Sequence, residues 1–391
     1  MEKIAIYTLT SVLNEKNDVD ALSQEFLSSL GIAYDFKGNN YADFGSHDLD
    51  VIYVRTGGTE GIFRELMPLL QEKSDHPFYL LTSGKNNSLG ASMEILSYLR
   101  LHNIKGEIIH GQPSYVARRL QLLKKVEQAR RQLKGCRLAV IGKPSDWLIA
   151  STANYDEVKE KLGIELIDIS MDEMLSTVAA TPKDHHSRPD DFFPGAEQIY
   201  EALKTLLEKY ELQGFTMRCF DLLNTVHNTG CWAVAKLNSE GYVAGCEGDI
   251  PALLTMMITR QLVGVSGFLA NPSTINPETG EILFAHCTIP LDMVERYELD
   301  THFESGIGIG IRGFMKEGSV TVFKVAGDLK SHFIAEGDLR MNLALPDMCR
   351  TQQVIQLRDR SQTAYFLNSP IGNHHIVMPG RQKALLEEML R

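Results

Sequence analysis

The sequence predicts an α/β protein with two Rossmann-like parallel-sheet domains followed by a mainly antiparallel, barrel-like C-terminal domain. Three observations carry this. Short β-branched and apolar runs alternate with helix-length segments through roughly the first 260 residues, the pattern of a parallel sheet with helices on its faces. From Thr301 onward the apolar runs are short, closely spaced and separated by turn signals such as Lys316-Glu317-Gly318 and Ala326-Gly327-Asp328. A chain of 391 residues is too long for one ordinary core.

The elements follow in order. Lys3 to Leu9, Ile32 to Phe36, Leu49 to Val54, Pro77 to Thr82 and Ile108-Ile109 read as strands of a first sheet, with a polar helix over Asp18 to Leu30. Two glycine-containing loops follow strands, Arg55 to Gly61 and Thr82 to Ser88; neither matches a Walker or dinucleotide fingerprint, so both read as turns whose N–H groups could meet an anion or sugar hydroxyls. A basic helix, Ser114 to Leu133, spreads its charges over several faces and reads as a solvated connector. Gly135 stops it, and Arg137 to Ile141 starts a second sheet. Helices over Tyr155 to Leu162, Met171 to Ala179 and Pro194 to Tyr210 flank strands over Glu165 to Ile169 and Gly214 to Leu223, the last ending in Cys219-Phe220-Asp221. The loop Thr181 to Asp191 holds His185 and His186, read as surface residues. Gly267 to Ala270 and Ile282 to Cys287 read as strands separated by a turn-rich Asn271 to Gly280, and the expected domains are 1–132, 133–243 and 244–391.

Composition limits the function. Hydrophobic residues at 43% and charged residues at 23% describe an ordinary globular protein. A net charge of -11 argues against a nucleic-acid binder, whose affinity comes from clustered Lys and Arg. No stretch is long and uncharged enough to span a bilayer, and the first residues lack the pattern of a signal peptide. The six cysteines show no C-x-x-C and read as reduced thiols, so the expected compartment is the cytoplasm.

The most informative stretch is Gly245-Cys246-Glu247-Gly248-Asp249-Ile250-Pro251. It joins an apolar strand to the most hydrophobic helix in the chain, with Asp249 at the N-cap and a proline in the first turn. Asp221, closing the preceding strand, would share the carboxyl edge of the sheet, where α/β folds bind ligands. Gly372-Asn373-His374-His375 offers an imidazole. Two carboxylates and one imidazole suit a divalent ion such as Mn²⁺, Mg²⁺ or Co²⁺.

With Cys219-Phe220-Asp221 before it and Gly372-Asn373-His374 far downstream, this stretch resembles the L-fucose isomerase and L-arabinose isomerase family, most of all its compact fucose-isomerase-like branch. The resemblance runs from about Gly214 to the end and is architectural before that. It implies an aldose–ketose isomerase that binds manganese through Asp221, Asp249 and His374, with Asp221 and Asp249 catalytic and one of them, or Glu247, serving as base. It places Glu247, His286 and His302 near the substrate. It also implies a homo-oligomer, trimer or hexamer, with shared clefts, in which Arg55 reaches a neighbouring subunit's site. The expected partner is a small sugar, with no nucleic acid and no membrane. Fucose isomerases proper carry Glu where this chain has Asp221, one methylene shorter, and they are longer chains, so sugar specificity does not carry over. The rival from another class is a cytoplasmic two-domain sugar sensor, which needs no cation. Metal-assisted hydrolysis usually recruits more histidines.

Overall fold

The computed structural model describes residues 3–12, 19–183 and 192–391; His185 and His186 lie outside these. The chain forms two compact units, 1–131 and 132–391.

The first unit is one five-stranded parallel sheet in the order β2-β1-β3-β4-β5. Its elements are β1 (Ile4–Leu9), α1 (Val19–Ser29), β2 (Asp35–Gly38), β3 (Leu49–Val54), α2 (Glu60–Lys73), β4 (Phe78–Leu81), α3 (Ser88–Leu101), β5 (Gly106–Ile109) and α4 (Pro113–Leu133). β1 and β4 are buried along their whole length, as expected of strands covered on both faces.

The second unit begins with a four-stranded parallel sheet, β7-β6-β8-β9. It comprises β6 (Arg137–Ile141), α5 (Tyr155–Leu162), β7 (Glu165–Ile169), α6 (Met171–Ala180), α7 (Phe193–Lys209), β8 (Gly214–Met217), α8 (Phe220–Val226), α9 (Cys231–Ser239), β9 (Val243–Cys246) and α10 (Ile250–Val263). Then come β10 (Phe268–Asn276), β11 (Glu281–His286), β12 (Arg296–Asp300), β13 (Gly310–Phe314), β14 (Gly318–Val325), β15 (His332–Leu343), β16 (Thr351–Leu357), α11 (Thr363–Asn368), β17 (His375–Pro379) and α12 (Lys383–Met389). Six of these strands close an antiparallel barrel, β10-β11-β16-β15-β14-β17, and β12 and β13 form a separate ribbon. One apolar core runs from the parallel sheet into the barrel. α10 joins the two layers: nearly every side chain is buried, and it packs on β8 and β9 on one side and on β14 and β17 on the other.

Three expectations need correction. β8 stops at Met217, and Asp221 lies in the first turn of α8; Arg218 and Asp221 pair at the three-residue spacing of a helix, not the two-residue spacing of a strand. β10 continues through the Asn-Pro pair to Asn276, because its outer half faces solvent and tolerates polar residues, and the turn is confined to Asn276 to Gly280. β9 pairs with β8, so a segment starting at 244 begins inside the parallel sheet. All six cysteines are free, four of them buried. No helix among the described residues is long and apolar enough to cross a membrane.

At the start of β17, His375 is fully buried among Phe284, Phe333, Tyr365 and Phe366. Its Nδ1 lies 2.9 Å from the Asn373 carbonyl and its Nε2 3.0 Å from the Tyr365 hydroxyl, which fits a neutral ring donating from Nδ1 and accepting at Nε2. Burial pushes its pKa down to about 3, helped by the charge of Lys324. A group depressed on folding contributes stability that is complete above its unfolded pKa near 6.5 and lost as pH falls toward 3. Denaturant unfolding between pH 6.5 and 4 is therefore expected to show a slope that His375→Gln reduces by up to about 1.4 kcal/mol per pH unit. An unchanged slope would mean that the ring is protonated in the fold.

Candidate metal centre

The turn after β9 is held in a conformation that few side chains adopt. Glu247 has φ +63° and Gly248 φ +72°. A left-handed non-glycine residue costs on the order of 1–3 kcal/mol and persists only where its surroundings fix it. Those surroundings are close. A Cβ on Gly248 would stand 2.4 Å from the Lys143 carbonyl oxygen, so only glycine fits. The Gly248 N–H donates to the Met217 carbonyl, and the Ser145 N–H donates to the Glu247 carbonyl.

This geometry aims Glu247 at two imidazoles. Its Oε1 lies 3.5 Å from Nε2 of His286, at the end of β11, and 3.6 Å from Nε2 of His374, just before β17. These separations are too long for good hydrogen bonds. They are close to the edges of a coordination shell, since bonds of about 2.1 Å put neighbouring ligands about 3.0–3.4 Å apart. Nε2 of His374 and Nδ1 of His286 are buried without a hydrogen-bond partner. Glu247, His286 and His374 form the one group of three among the described residues that could hold a metal ion. The orphaned Nε2 of His374 and the Nε2 of His286, both facing one carboxylate oxygen, are a donor set that a borderline divalent cation fits.

Behind His374 stands Asp249. Its Oδ1 accepts the Ala252 N–H at 2.8 Å and caps α10, while its Oδ2 lies 2.9 Å from His374 Nδ1. That bond places the proton on Nδ1 and leaves Nε2 facing Glu247, the carboxylate–histidine arrangement that orients metal ligands. Lys324 on β14, wholly buried, lies 3.5 Å from the same Oδ2. Burial raises the carboxyl of Asp249, but the Lys324 ammonium and then His374 outweigh it and bring it down to about 2. Burial lowers His374, but Asp249 and Glu247 reverse this and lift it to about 9. Glu247 is likewise held well below the carboxylate range: burial opposes ionisation, and the two facing imidazoles prevail.

The expected site residues thus divide. Glu247, His286 and His374 come together. Asp249 touches the group from behind, with both oxygens engaged. Asp221 is outside the group, paired with Arg218 at 3.0 Å, because it sits on a helix rather than at a strand end. Buried His302 stands apart, its Nδ1 3.1 Å from the Ser305 hydroxyl and its ring edge-on to Phe220. Arg55 belongs to the first unit, where it bonds Asp20 and the Ser23 hydroxyl. Two contributors carry little signal in the sequence. Lys324 shares the strand parity of Val320 and Val322, so a charge where a hydrophobe is due was the signal that could have found it. Trp147 gave none beyond being an aromatic residue in a polar loop after β6.

No family model matches the chain. It is similar to the sulfoquinovose isomerases of Priestia aryabhattai and Priestia megaterium, with 24% identity over 262 residues, covering 61% of this chain and 59% of each relative. A sulfoquinovose isomerase of a Clostridium species matches at 26% identity over 91 residues, 23% of this chain and 20% of the relative. The similarity is a distant homology to a sugar isomerase. It spans about three-fifths of the length of the two Priestia relatives.

Asp249→Asn is expected to weaken Mn²⁺ binding by roughly 10- to 100-fold in calorimetric titration. It also leaves the Lys324 ammonium buried without a carboxylate, so the melting temperature should fall. Adding Lys324→Met should recover the melting temperature and leave the metal affinity low. Full affinity in Asp249→Asn would show that Asp249 does not position His374.

Proposed function

We propose that the protein is a metal-dependent aldose–ketose isomerase of the fucose/arabinose-isomerase type, using Mn²⁺ or a similar divalent ion. The observation that carries this reading is the convergence of two buried imidazoles on one oxygen of Glu247, in a chain distantly homologous to sulfoquinovose isomerases.

Moving a carbonyl from C1 to C2 of an open-chain sugar removes a proton from C2, returns one to C1 and shifts one between the two oxygens. Glu247, His286 and His374 would hold a divalent cation, and the chemistry it would supply when bound is Lewis acidity that makes the C2 proton easier to remove. Asp249 keeps His374 in the ligating tautomer and, with both oxygens engaged, takes no part in proton transfer. That leaves Asp221 as the acid that carries the proton. About two-fifths of its side chain is exposed, where Asp249 is wholly buried, and Arg218 Nε holds it from one side, 3.1 and 3.0 Å from its two oxygens. His302 lies beside Phe220 and serves the substrate side of the site. Arg55 serves it from the first unit of a neighbouring copy in a cytoplasmic homo-oligomer, trimer or hexamer. The relatives' name makes sulfoquinovose the first substrate to try, ahead of unsubstituted aldoses.

Purified protein is expected to retain a divalent ion and to form ketose from one of a panel of aldoses, sulfoquinovose among them, with activity lost to chelator and restored by Mn²⁺. No retained metal and no ketose from any aldose would overturn the reading in favour of a sugar sensor. Asp221→Asn should lower kcat by about 100-fold or more with Mn²⁺ affinity unchanged. An equal loss of affinity would make Asp221 a ligand instead.

A further inference from the structure

The second oxygen of Glu247 has a partner that neither the metal group nor the capping network accounts for. Trp147 Nε1–H donates to Glu247 Oε2 at 2.7 Å, while half of the tryptophan remains exposed. An indole N–H can only donate, so the bond leaves Oε1 alone to face the imidazoles.

The loop that presents Trp147 is tied to the same turn. The Ser145 N–H bonds the Glu247 carbonyl, and the backbone of Lys143 and Pro144 lies against Gly248. Arg218 grips Asp146 through two bonds, at 2.9 and 2.8 Å, while also pairing with Asp221. Buried Leu148 anchors the far side. The indole meets Phe220 edge-on at 5.1 Å between ring centroids, and Phe220 meets His302 edge-on at 5.6 Å. Polar atom inward and ring outward is the posture of an aromatic side chain that serves two environments.

Resting on the isomerase reading, we propose that Trp147 is both the positioning residue that presents Glu247 through one oxygen and, with Phe220, the apolar wall against which the C–H face of a sugar packs. The indole N–H sets how the carboxylate binds; the ring sets how well the sugar binds. The two roles separate by substitution. Trp147→Phe keeps the wall and loses the donor, whereas Trp147→Ala loses both.

The test uses the two tryptophans of the chain. Trp232 is buried and bonded to Glu197, so Trp232→Phe leaves Trp147 as the sole indole emitter. Titrating that variant with Mn²⁺ alone, a paramagnetic quencher, is expected to quench its fluorescence over the concentration range in which electron paramagnetic resonance shows Mn²⁺ binding. Trp147→Phe should bind Mn²⁺ roughly tenfold more weakly with its melting temperature unchanged and KM for the sugar near that of the parent. Trp147→Ala should in addition raise KM about tenfold. Quenching that fails to follow bound Mn²⁺, or equal Mn²⁺ affinity in Trp147→Phe, overturns the role of Trp147 while the metal centre stands. Absence of bound Mn²⁺ in the parent protein overturns both, and the resonance signal tells the two failures apart.

Discussion

The hydrogen bond between Asp249 and His374 joins the parts of the second unit that make its site. Asp249 belongs to the turn that ends the parallel sheet, and His374 to the approach to the last barrel strand, 125 residues later. One carboxylate therefore caps the helix between the two layers and orients an imidazole from the other layer. Neither layer alone holds the group. The sheet supplies Glu247, the barrel supplies His286 and His374, and α10 sets their separation by packing against both.

The electrostatics of this junction are as specific as its geometry. A buried aspartate, a partly buried glutamate, a buried lysine and two buried imidazoles share one small volume, an arrangement that costs several kcal/mol per ion unless the charges match. Lys324 answers Asp249, and the imidazoles answer Glu247. The balance is completed by strain accepted at Glu247, whose left-handed backbone aims its side chain across the turn. Glycine at 248 is a consequence of how closely the Lys143 loop must approach to hold that conformation, and the same loop delivers Trp147 to the outer oxygen.

Much of this was legible in the sequence. The alternation of apolar runs marked both parallel sheets, short late strands marked the barrel, and Asp249 beside Pro251 marked a capped helix. Reading Glu247, Asp249 and His374 as neighbours required only that the late histidine return to the sheet edge. Local pattern could not settle which acid touches a metal. Asp249 looks like a ligand by residue type, but its two oxygens are engaged by Ala252 and His374, an allocation set by tertiary packing. Asp221 reads as a strand end because Phe220, Leu222 and Leu223 are as apolar as a strand, and only the bend after Met217 turns the segment into a helix. Lys324 and Trp147 act through contacts with residues 75 and 100 positions away, which no window along the chain can reveal.

The proposed mechanism rests on a single divalent ion seated among Glu247, His286 and His374. Anomalous diffraction from crystals soaked in Mn²⁺ would locate such an ion independently of any activity. One strong peak is expected, bonded to Glu247 Oε1, His374 Nε2 and the ring of His286, with Asp249 outside bonding distance. A peak ligated by Asp221 and Asp249, or none in the second unit, would refute the assignment.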